Sequence, residues 1–523
     1  METNSNMPKE LIESLQMPNG LFEVRGPAGA GKTYQLIKSI DMLSSIYRRG
    51  FIISYSNTAV DELVERLGSN FNGKVMTSHV FSWMWIKRSY RYFLKDPAFK
   101  WTTGIEGLDF STEHIRNIKY SLFGQLRYEN TEKTLYLSHI QVLDLFSTML
   151  NYSEKMQLEI KKVIDYIFVD EYQDTHKVFI SAIINNLNDK ILIGCFGDPM
   201  QNIYQNNEEP RVGDIQNISV KLSSSIELTT NFRSSKNLVS LFNLYRRDKI
   251  KQKSDSTSLG KFFLIASPKK LDIDLLNKIQ TKIQLPKLHI LALTHATRLQ
   301  ATLGNEFSIL KKIKRAIDDS IPGNGYADWQ QILDPDSDLN QKILLDFLLH
   351  LGSGNFTFKT IKQIKEHFEL DPTQLFPFDM LKTIQEIIVS MKFSDLIDYG
   401  FNDYSEFLIK LEHELTGEDF DNLTNLYLKI NELDSETIYS SKGKEYENVL
   451  LNIDSGGWWR MNWDHIKSQT ELQNLFYVGI TRARSNLIVY VNTSKDGGHS
   501  EFALTLEMKW NENNIIYQKI SDL

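Results

Sequence analysis

The sequence predicts an α/β fold with two domains built on parallel sheets, each interrupted by a mainly helical insertion. Short apolar runs that are typical of buried strands alternate with helical stretches in two separate regions of the 523-residue chain. Such alternation is typical of parallel α/β sheets. Inside each region lies a long stretch that lacks the alternation and has a helical pattern instead. A chain of this length is also expected to form several domains.

Strands and helices predicted from the apolar pattern define the two regions. In the first region the predicted strands are residues 21–24, 51–54, 164–169 and 191–196, and the predicted helices are residues 32 to about 47 and 58–67. In the second region the predicted strands are residues 261–265, 289–293, 448–453 and 486–491. We therefore expect a first α/β domain at residues 1–80 and 163–217, with an insertion at 81–162. The second α/β domain is expected at residues 218–296 and 434–523, with an insertion at 297–433.

Composition excludes several classes of protein. The net charge is −7 and the isoelectric point is near 6.0, which argues against a uniformly basic surface but allows a local basic channel for nucleic acid. Cys195 is the only cysteine, so an intramolecular disulfide and a cysteine-based zinc cage are excluded. The first 18 residues lack the apolar core of a secretory signal, and the sequence predicts no membrane span or membrane partner. These features favour a cytoplasmic protein.

Three basic clusters occur, at residues 87–93, 246–253 and 311–315. The first of them interleaves cations with aromatic residues, as grooves for single-stranded nucleic acid do. Each cluster taken alone is more typical of a solvated helix face.

A glycine-rich loop at residues 26–33 follows the first predicted strand and opens the first predicted helix. It fits the pattern G-x-x-x-x-G-K-[ST], in which backbone N–H groups curl around phosphate oxygens at a helix N-terminus. Lys32 is expected to reach the β- and γ-phosphates, and Thr33 to ligate Mg²⁺. The loop therefore predicts a site for ATP and Mg²⁺ formed by Gly26, Gly29, Ala30, Gly31, Lys32, Thr33 and Tyr34.

Two acidic residues, Asp170 and Glu171, stand where the third predicted strand ends. Open α/β sheets bind ligands at the carboxyl ends of their strands. Asp170 is suited to hold Mg²⁺, and Glu171 is suited to orient and deprotonate an attacking water. An acid pair after a strand is by itself often a solvated loop, but the phosphate-binding loop in the same domain favours the catalytic interpretation.

Residues 170–174, with the sequence DEYQD, resemble motif II of the superfamily-1A DNA helicases, the UvrD/Rep/PcrA family. Further segments resemble other motifs of that family, in the family's order. They are residues 55–63 (motif Ia), 77–82 (a Thr-x-His-x-Phe segment), 197–204 (III), 228–234 (IV), 290–298 (IVa), 439–446 (V) and 476–483 (VI). The ordered set spans about residues 21–491 and is far more specific than any one motif. The resemblance implies two RecA-like P-loop NTPase motor domains that hydrolyse ATP in the cleft between them.

The resemblance also implies a role for individual residues. Phe232 is expected to stack on adenine, and Glu445 to contact the ribose or support the cleft. The catalytic residues are expected to be Glu171, Gln201, Arg233 and Arg482, where Gln201 senses the γ-phosphate and both arginines contact it from the second domain. Residues expected to contact nucleic acid are Asn57, His79, Phe81, Tyr204 and Ser440.

The sequence departs from the family pattern at several positions. Gln16 is the only nearby candidate for the adenine-contacting glutamine, and its spacing is short. Tyr34 and Tyr439 stand where relatives commonly have Arg and His, and Asn206 and Asn207 replace a Trp and an Arg. Because the Trp belongs to an aromatic pair that helps bases stack, these departures favour ATP hydrolysis more strongly than processive unwinding.

Three functions are compatible with these patterns. The first is an ATP-dependent DNA helicase or translocase that moves 3′ to 5′ on single-stranded DNA or a tailed duplex. The second is an ATP-gated DNA-sensing subunit that regulates a protein partner such as a nuclease, by analogy with compact UvrD-like proteins of anti-phage systems. The third is a P-loop NTPase unrelated to nucleic acid, such as a kinase, which the segments that resemble motifs Ia, III and V disfavour.

Overall fold

Two six-stranded sheets, in which every strand pairing is parallel, form the framework of the computed structural model and confirm the predicted α/β fold. The structure describes residues 7–304, 434–454, 466–494 and 501–520, apart from short gaps at 47, 69–70, 72, 122–125, 205–209, 219–221, 249 and 286, and a few residues between 307 and 315. No helix in these ranges is long and apolar enough to cross a membrane.

The first sheet presents the phosphate-binding loop and the acid pair at one edge. Its strands are β1 (Gly20–Arg25), β2 (Gly50–Ser54), β3 (Gly73–Thr77), β7 (Tyr166–Asp170), β8 (Leu192–Gly197) and β9 (Ser224–Glu227). Its helices are α1 (Lys9–Gln16), α2 (Lys32–Ser44), α3 (Asn57–Leu67) and α7 (Lys177–Leu187). The strand order is β3-β2-β7-β8-β1-β9, so a single strand, β8, separates β1 from β7. The loop after β1 and the acids after β7 therefore emerge close together at the carboxyl edge.

The boundary predicted at residue 218 lies too early. Strand β9 is parallel to β1, with Phe22 opposite Ser224 and Arg25 opposite Glu227, so it belongs to the first sheet. Its sequence, Ser-Ser-Ile-Glu, has only one apolar residue, and it therefore lacks the apolar run that predicts a buried strand.

The first insertion, predicted at residues 81–162 as mainly helical, contains a small sheet beside its helices. Its strands are β4 (Asn117–Tyr120), β5 (Arg127–Glu129) and β6 (Thr134–Leu137), and its helices are α4 (Ser78–Leu94), α5 (His139–Tyr152) and α6 (Glu154–Val163). The strand order is β4-β6-β5. Phe81 of α4 contacts Phe51, Phe146 and Phe179 edge to face, so the insertion and the first sheet share one apolar core.

The second sheet repeats the parallel pattern. Its strands are β12 (Lys261–Ser267), β13 (His289–Ala292), β14 (Ser435–Thr437), β15 (Tyr446–Asp454), β16 (Ala483–Asn492) and β17 (Gln518–Ile520), in the order β14-β13-β15-β16-β12-β17. Its helices are α8 (Lys236–Tyr245), α9 (Ile273–Ile283), α10 (His295–Leu303), α11 (Ile466–Ile480) and α12 (Glu501–Glu512). A short pair, β10 (Thr230–Asn231) and β11 (Lys253–Ser254), precedes it. The insertion predicted at 297–433 lies outside the described residues after α10, apart from a few residues between 307 and 315.

The segment that follows β8 joins the two domains. Met200 and Ile203 are buried in the same apolar cluster as α8, α11 and the second sheet, although the chain reaches them from the first sheet. The motif III segment is therefore packed into the second domain, and the cleft between the sheets lies beside it.

Candidate functional site

A cleft of about 580 Å³ lies between the two domains, and its volume is in the range of small-ligand sites. Most of the residues predicted for the ATP site line this cleft. They are Gly29, Ala30, Gly31, Lys32, Thr33, Tyr34, Asp170, Glu171, Gln201, Phe232, Arg233, Glu445 and Arg482. Gly26 lies directly behind the lining, where its carbonyl oxygen accepts a hydrogen bond from Lys32 Nζ at 3.0 Å.

The phosphate-binding loop is held from both sides of the cleft. Gly29 and Gly31 have φ of +79° and +80°, a conformation that side chains disfavour, and Gly31 precedes the first turn of α2. From the opposite side, Asn231 Nδ2 donates to the carbonyl of Ala28 at 2.9 Å, and the backbone N–H of Phe232 donates to the carbonyl of Gly29 at 2.9 Å. The loop conformation therefore depends on the segment that leads into the second domain.

Asp170 is arranged to hold a cation. Its side chain is buried, and burial together with the charge of Glu171 raises the pKa of Asp170 to about 7. Its Oδ1 atom accepts no hydrogen bond from any residue that the structure describes. An unsatisfied buried carboxylate oxygen is costly unless a ligand completes it, and Thr33 lines the same cleft. Both residues therefore fit Mg²⁺, which prefers oxygen ligands.

Glu171 remains charged at neutral pH. Burial raises its pKa, but Lys32, Lys442 and a hydrogen bond from Gln173 outweigh burial and leave the pKa below its ordinary value. Gln173 Nε2 donates to Glu171 Oε2 at 2.5 Å, and Lys32 Nζ lies 3.9 Å from Glu171 Oε1. The backbone of Glu171 is left-handed, with φ of +49°, as is frequent where a side chain is held for function. The carboxylate is thus a fixed, ionised proton acceptor.

Two arginines reach the cleft from the second domain. Arg482 is buried and donates from Nη2 to Gln201 Oε1 at 3.3 Å. Burial and, to a smaller extent, the nearby charge of Arg233 lower the pKa of Arg482 to about 9. Arg233 donates from Nε to Glu445 Oε2 at 2.5 Å, so Glu445 supports the cleft by holding an arginine. Cations delivered across a cleft are suited to stabilise charge on a transferring phosphoryl group.

Phe232 offers an open aromatic face beside the phosphate-binding loop. Its side chain is 64% exposed, and a Cβ added to Gly31 would lie 3.7 Å from the ring. Tyr34 also lines the cleft and has Lys38 Nζ 5.7 Å from its ring centroid. Gln16 is exposed at the end of α1 and is absent from the described lining of the cleft. Stacking on Phe232 is therefore the base contact that the described site favours.

The residues proposed to contact nucleic acid differ in their surroundings. Phe81 is fully buried in the core, so the proposed contact with DNA, which rested on its position in the motif, is wrong for the conformation described. Asn57 and Ser440 are exposed. His79 is half-buried against His139, and burial lowers its pKa to about 4, so its ring is neutral at neutral pH.

The ring of Tyr204 is in contact with an aromatic ring and a cation. One face is stacked on Tyr55 with ring centroids 5.1 Å apart, and Lys442 Nζ lies 5.3 Å from the Tyr204 centroid. The Tyr204 hydroxyl donates to the carbonyl of Tyr439 at 3.1 Å. Lys442 also pairs with Asp174 and donates to the carbonyl of Gln201 at 2.6 Å. These neighbours compete with a base for the ring of Tyr204. Asn206 and Asn207 lie outside the described residues.

Two features of the site were not predicted from the sequence. Arg246 belongs to the basic cluster interpreted as a solvated helix face, yet its guanidinium is buried against Asp198. The signal that could have found it is Asp198 itself, since an acidic residue among buried positions requires a partner. The helix α3 also contributes Glu62 and Arg66 to the lining of the cleft, and neither was predicted as a site residue.

Comparisons with known proteins agree with this geometry. A family model described as an AAA domain matches residues 9–207, and one described as the viral superfamily 1 RNA helicase core domain matches residues 145–312. The chain is also similar to the Gabija protein GajB of Bacillus cereus (strain HuB5-5), with 23% identity over 680 aligned positions that cover 93% of this chain and 95% of the relative. Together with the two parallel sheets, these matches show a RecA-like P-loop NTPase fold and support a helicase-type ATPase of superfamily 1.

Proposed function

We propose that the protein is a DNA-dependent ATPase motor of the UvrD type, which moves 3′ to 5′ on single-stranded DNA and hydrolyses ATP between its two domains. The observation that carries this proposal is the meeting of groups from both domains in one cleft. Lys32, Glu171 and Gln201 come from the first domain, and Arg233 and Arg482 come from the second. Such an arrangement makes hydrolysis depend on the distance between the domains, as a motor requires.

The described residues can perform each part of the hydrolysis. The phosphate-binding loop and Lys32 hold the β- and γ-phosphates, Phe232 stacks on the base, and Asp170 and Thr33 hold Mg²⁺. When bound, Mg²⁺ neutralises charge on the phosphate oxygens. Glu171 accepts a proton from a water molecule whose oxygen attacks the γ-phosphorus. The bond from the γ-phosphorus to the β–γ bridging oxygen breaks, which releases ADP and inorganic phosphate.

Arg233 must change partners before it can act on the γ-phosphate. In the structure its guanidinium binds Glu445 and the carbonyl of Thr481. Glu445 Oε1 also lies 3.5 Å from Arg484 Nη1, so Arg484 can pair with Glu445 if Arg233 moves to the γ-phosphate. The proximity of Arg484 to Glu445 is compatible with a step in which ATP binding and closure of the cleft place Arg233 beside the transferred group.

DNA binding is proposed to reach the ATP site through Tyr204 and Lys442. Tyr204 stacks beneath Lys442, and Lys442 binds both Asp174, next to the motif II acids, and the backbone of Gln201. A base that displaces either neighbour of Tyr204 would shift Lys442 and thereby Gln201. Asn57, His79 and Ser440 remain proposed contacts along the same strand.

The decisive experiment measures ATP hydrolysis with and without single-stranded DNA, beside strand displacement on duplexes with a 3′ tail or a 5′ tail. We expect stimulation of hydrolysis by DNA and a preference for the 3′ tail. Hydrolysis that is indifferent to DNA would refute the motor proposal, and a preference for the 5′ tail would refute the direction. Lys32→Ala serves as the inactive control, with an expected loss of about 10²-fold or more.

A second candidate is an ATP-gated DNA-sensing subunit that regulates a partner such as a nuclease, in defence against phage. The similarity to a Gabija protein along nearly the whole chain favours it. So does Tyr204, because a ring already stacked on Tyr55 and contacted by Lys442 is a poor platform for repeated steps along a strand. Strong stimulation of hydrolysis by DNA without strand displacement would support this candidate over a processive helicase.

A further inference from the structure

Arg246 ends α8 in the second domain and is buried where the two domains meet. Its guanidinium donates to both carboxylate oxygens of Asp198, at 3.0 Å to Oδ1 and 3.1 Å to Oδ2. It also donates to the hydroxyl of Tyr477 at 2.7 Å and to the carboxylate of Asp248. The side chains of Arg246 and Asp198 have no exposed surface. The pair thus joins the end of the first sheet to the second domain in one geometry.

Asp198 in turn determines the orientation of Gln201. Gln201 Nε2 donates to Asp198 Oδ2 at 2.9 Å, while Gln201 Oε1 accepts from Arg482 Nη2 at 3.3 Å. These two bonds fix the orientation of the Gln201 amide, with its nitrogen toward Asp198 and its oxygen toward Arg482. Because Arg246 occupies both oxygens of Asp198, it sets where the acceptor for the Gln201 amide lies.

The contacts of Arg246 continue to the phosphate-binding loop. Tyr477 accepts from Gln252 Nε2 at 3.4 Å, Gln252 Oε1 accepts from Asn231 Nδ2 at 2.6 Å, and Asn231 donates to the carbonyl of Ala28. Buried hydrogen bonds thus connect both walls of the ATP cleft, and Arg246 lies at the centre of the connection.

We propose that Arg246 is a positioning residue for ATP hydrolysis, which acts through Asp198 to hold the amide of Gln201 in the cleft. This inference rests on the proposed ATPase function and assigns to the domain interface a part in the chemical step. A purely stabilising role is a poor explanation of the pair, since buried ion pairs contribute little net stability compared with apolar residues of similar size. The planar fork that binds two oxygens at once gives geometric precision instead.

The test is a double-mutant cycle that combines Arg246→Lys with Gln201→Ala. Lysine keeps the charge but loses the fork, so it cannot hold Asp198 and Tyr477 together. We expect Arg246→Lys to lower kcat by about tenfold in an otherwise unchanged chain, with the Kd for a fluorescent ATP analogue within about twofold. In the Gln201→Ala chain, the same change should lower kcat by less than about twofold, because its target is already absent. Arg247→Lys is the control, as Arg247 is exposed and its bonds go to Gln473 and Asn474.

The outcomes separate this inference from the proposed function. An equal loss of kcat from Arg246→Lys in both chains, or no loss in either, would overturn the positioning role. If Arg246→Lys does not fold, Tyr477→Phe removes one partner of Arg246 without burying a new charge. Its kcat is expected to fall about threefold at unchanged Kd, and an unchanged kcat would overturn the proposal. Failure of the proposed function itself would show separately, as wild-type hydrolysis that Lys32→Ala does not reduce.

Discussion

Glu171→Gln removes the proposed base while it preserves the size and shape of the side chain. In the structure, Glu171 accepts a hydrogen bond from Gln173 at 2.5 Å and lies 3.9 Å from Lys32 Nζ. A glutamine can still accept the first bond through its amide oxygen. It cannot take a proton from water, and it no longer pairs with Lys32. Asp170 and Thr33 remain in place, so the cleft should still bind ATP and Mg²⁺.

The magnitude follows from what the carboxylate contributes. General base catalysis is worth about 10²–10⁴-fold, and we expect kcat of Glu171→Gln to fall by about 10³-fold. Nucleotide binding should be unchanged within about threefold, because loss of a negative charge beside Lys32 leaves that cation more available to phosphate. In the wild-type protein the pKa of Glu171 is below its ordinary value, so this carboxylate should stay ionised and able to accept a proton in mildly acidic solution.

The assay pairs phosphate release at saturating ATP and single-stranded DNA with a titration of a fluorescent ATP analogue. Glu159→Gln is the matched control, since Glu159 is exposed on α6 and lies outside the lining of the cleft. The reasoning is refuted if the Kd of Glu171→Gln rises as much as kcat falls. It is also refuted if kcat stays within about twofold of the wild type.

Gly29→Ala should abolish binding of the ATP analogue. The φ of Gly29 is +79°, and the added Cβ would lie 2.7 Å from the Cβ of Arg233. Gly107→Ala adds the same backbone strain at φ +73° with nothing within 4 Å, and it should bind normally in the same titration. Mg²⁺-dependent binding of the ATP analogue should weaken as the pH falls below about 7. The pKa of Asp170 is raised to about 7, and its protonation removes a ligand for Mg²⁺. Equal affinity at about pH 6 and about pH 8 would contradict this prediction. Tyr204→Ala should keep basal hydrolysis and lose stimulation by DNA, whereas a lower Tm with reduced basal hydrolysis would indicate a packing role only.

The central strands of both sheets could be predicted from local runs of apolar residues. Residues 51–54 and 191–196 are apolar runs bounded by polar residues, and each is a strand within one residue of the prediction. Strands β9, β14 and β17 escaped prediction because they lie at sheet edges and have at most one apolar residue each, so no apolar run indicates them. Edge strands are defined by a neighbour that is distant in sequence, which local patterns cannot reveal.

The residues of the candidate site also divide into those that a local sequence pattern indicates and those that depend on a residue distant in sequence. Lys32 and Asp170 could be predicted because a loop pattern and a strand end place them, and the cleft brings them together. Arg246 could not be predicted from its own surroundings in the sequence, because its burial depends on Asp198, 48 positions earlier, and only Asp198 signals that a buried cation is required. Phe81 shows the opposite error, since a motif position was assigned to DNA although its ring fills the core.

The hydrogen bonds that Asn231 and Phe232 donate to the phosphate-binding loop have a thermodynamic consequence. The loop belongs to one domain, but two of its carbonyls, those of Ala28 and Gly29, accept hydrogen bonds from the segment that leads into the other domain. Affinity for nucleotide and the preference for a closed arrangement are therefore linked quantities. If closure strengthens nucleotide binding by some factor, the nucleotide must favour closure by the same factor. A ligand that separates the domains would then promote dissociation of nucleotide without contacting it. The dissociation rate of nucleotide would report the separation of the domains.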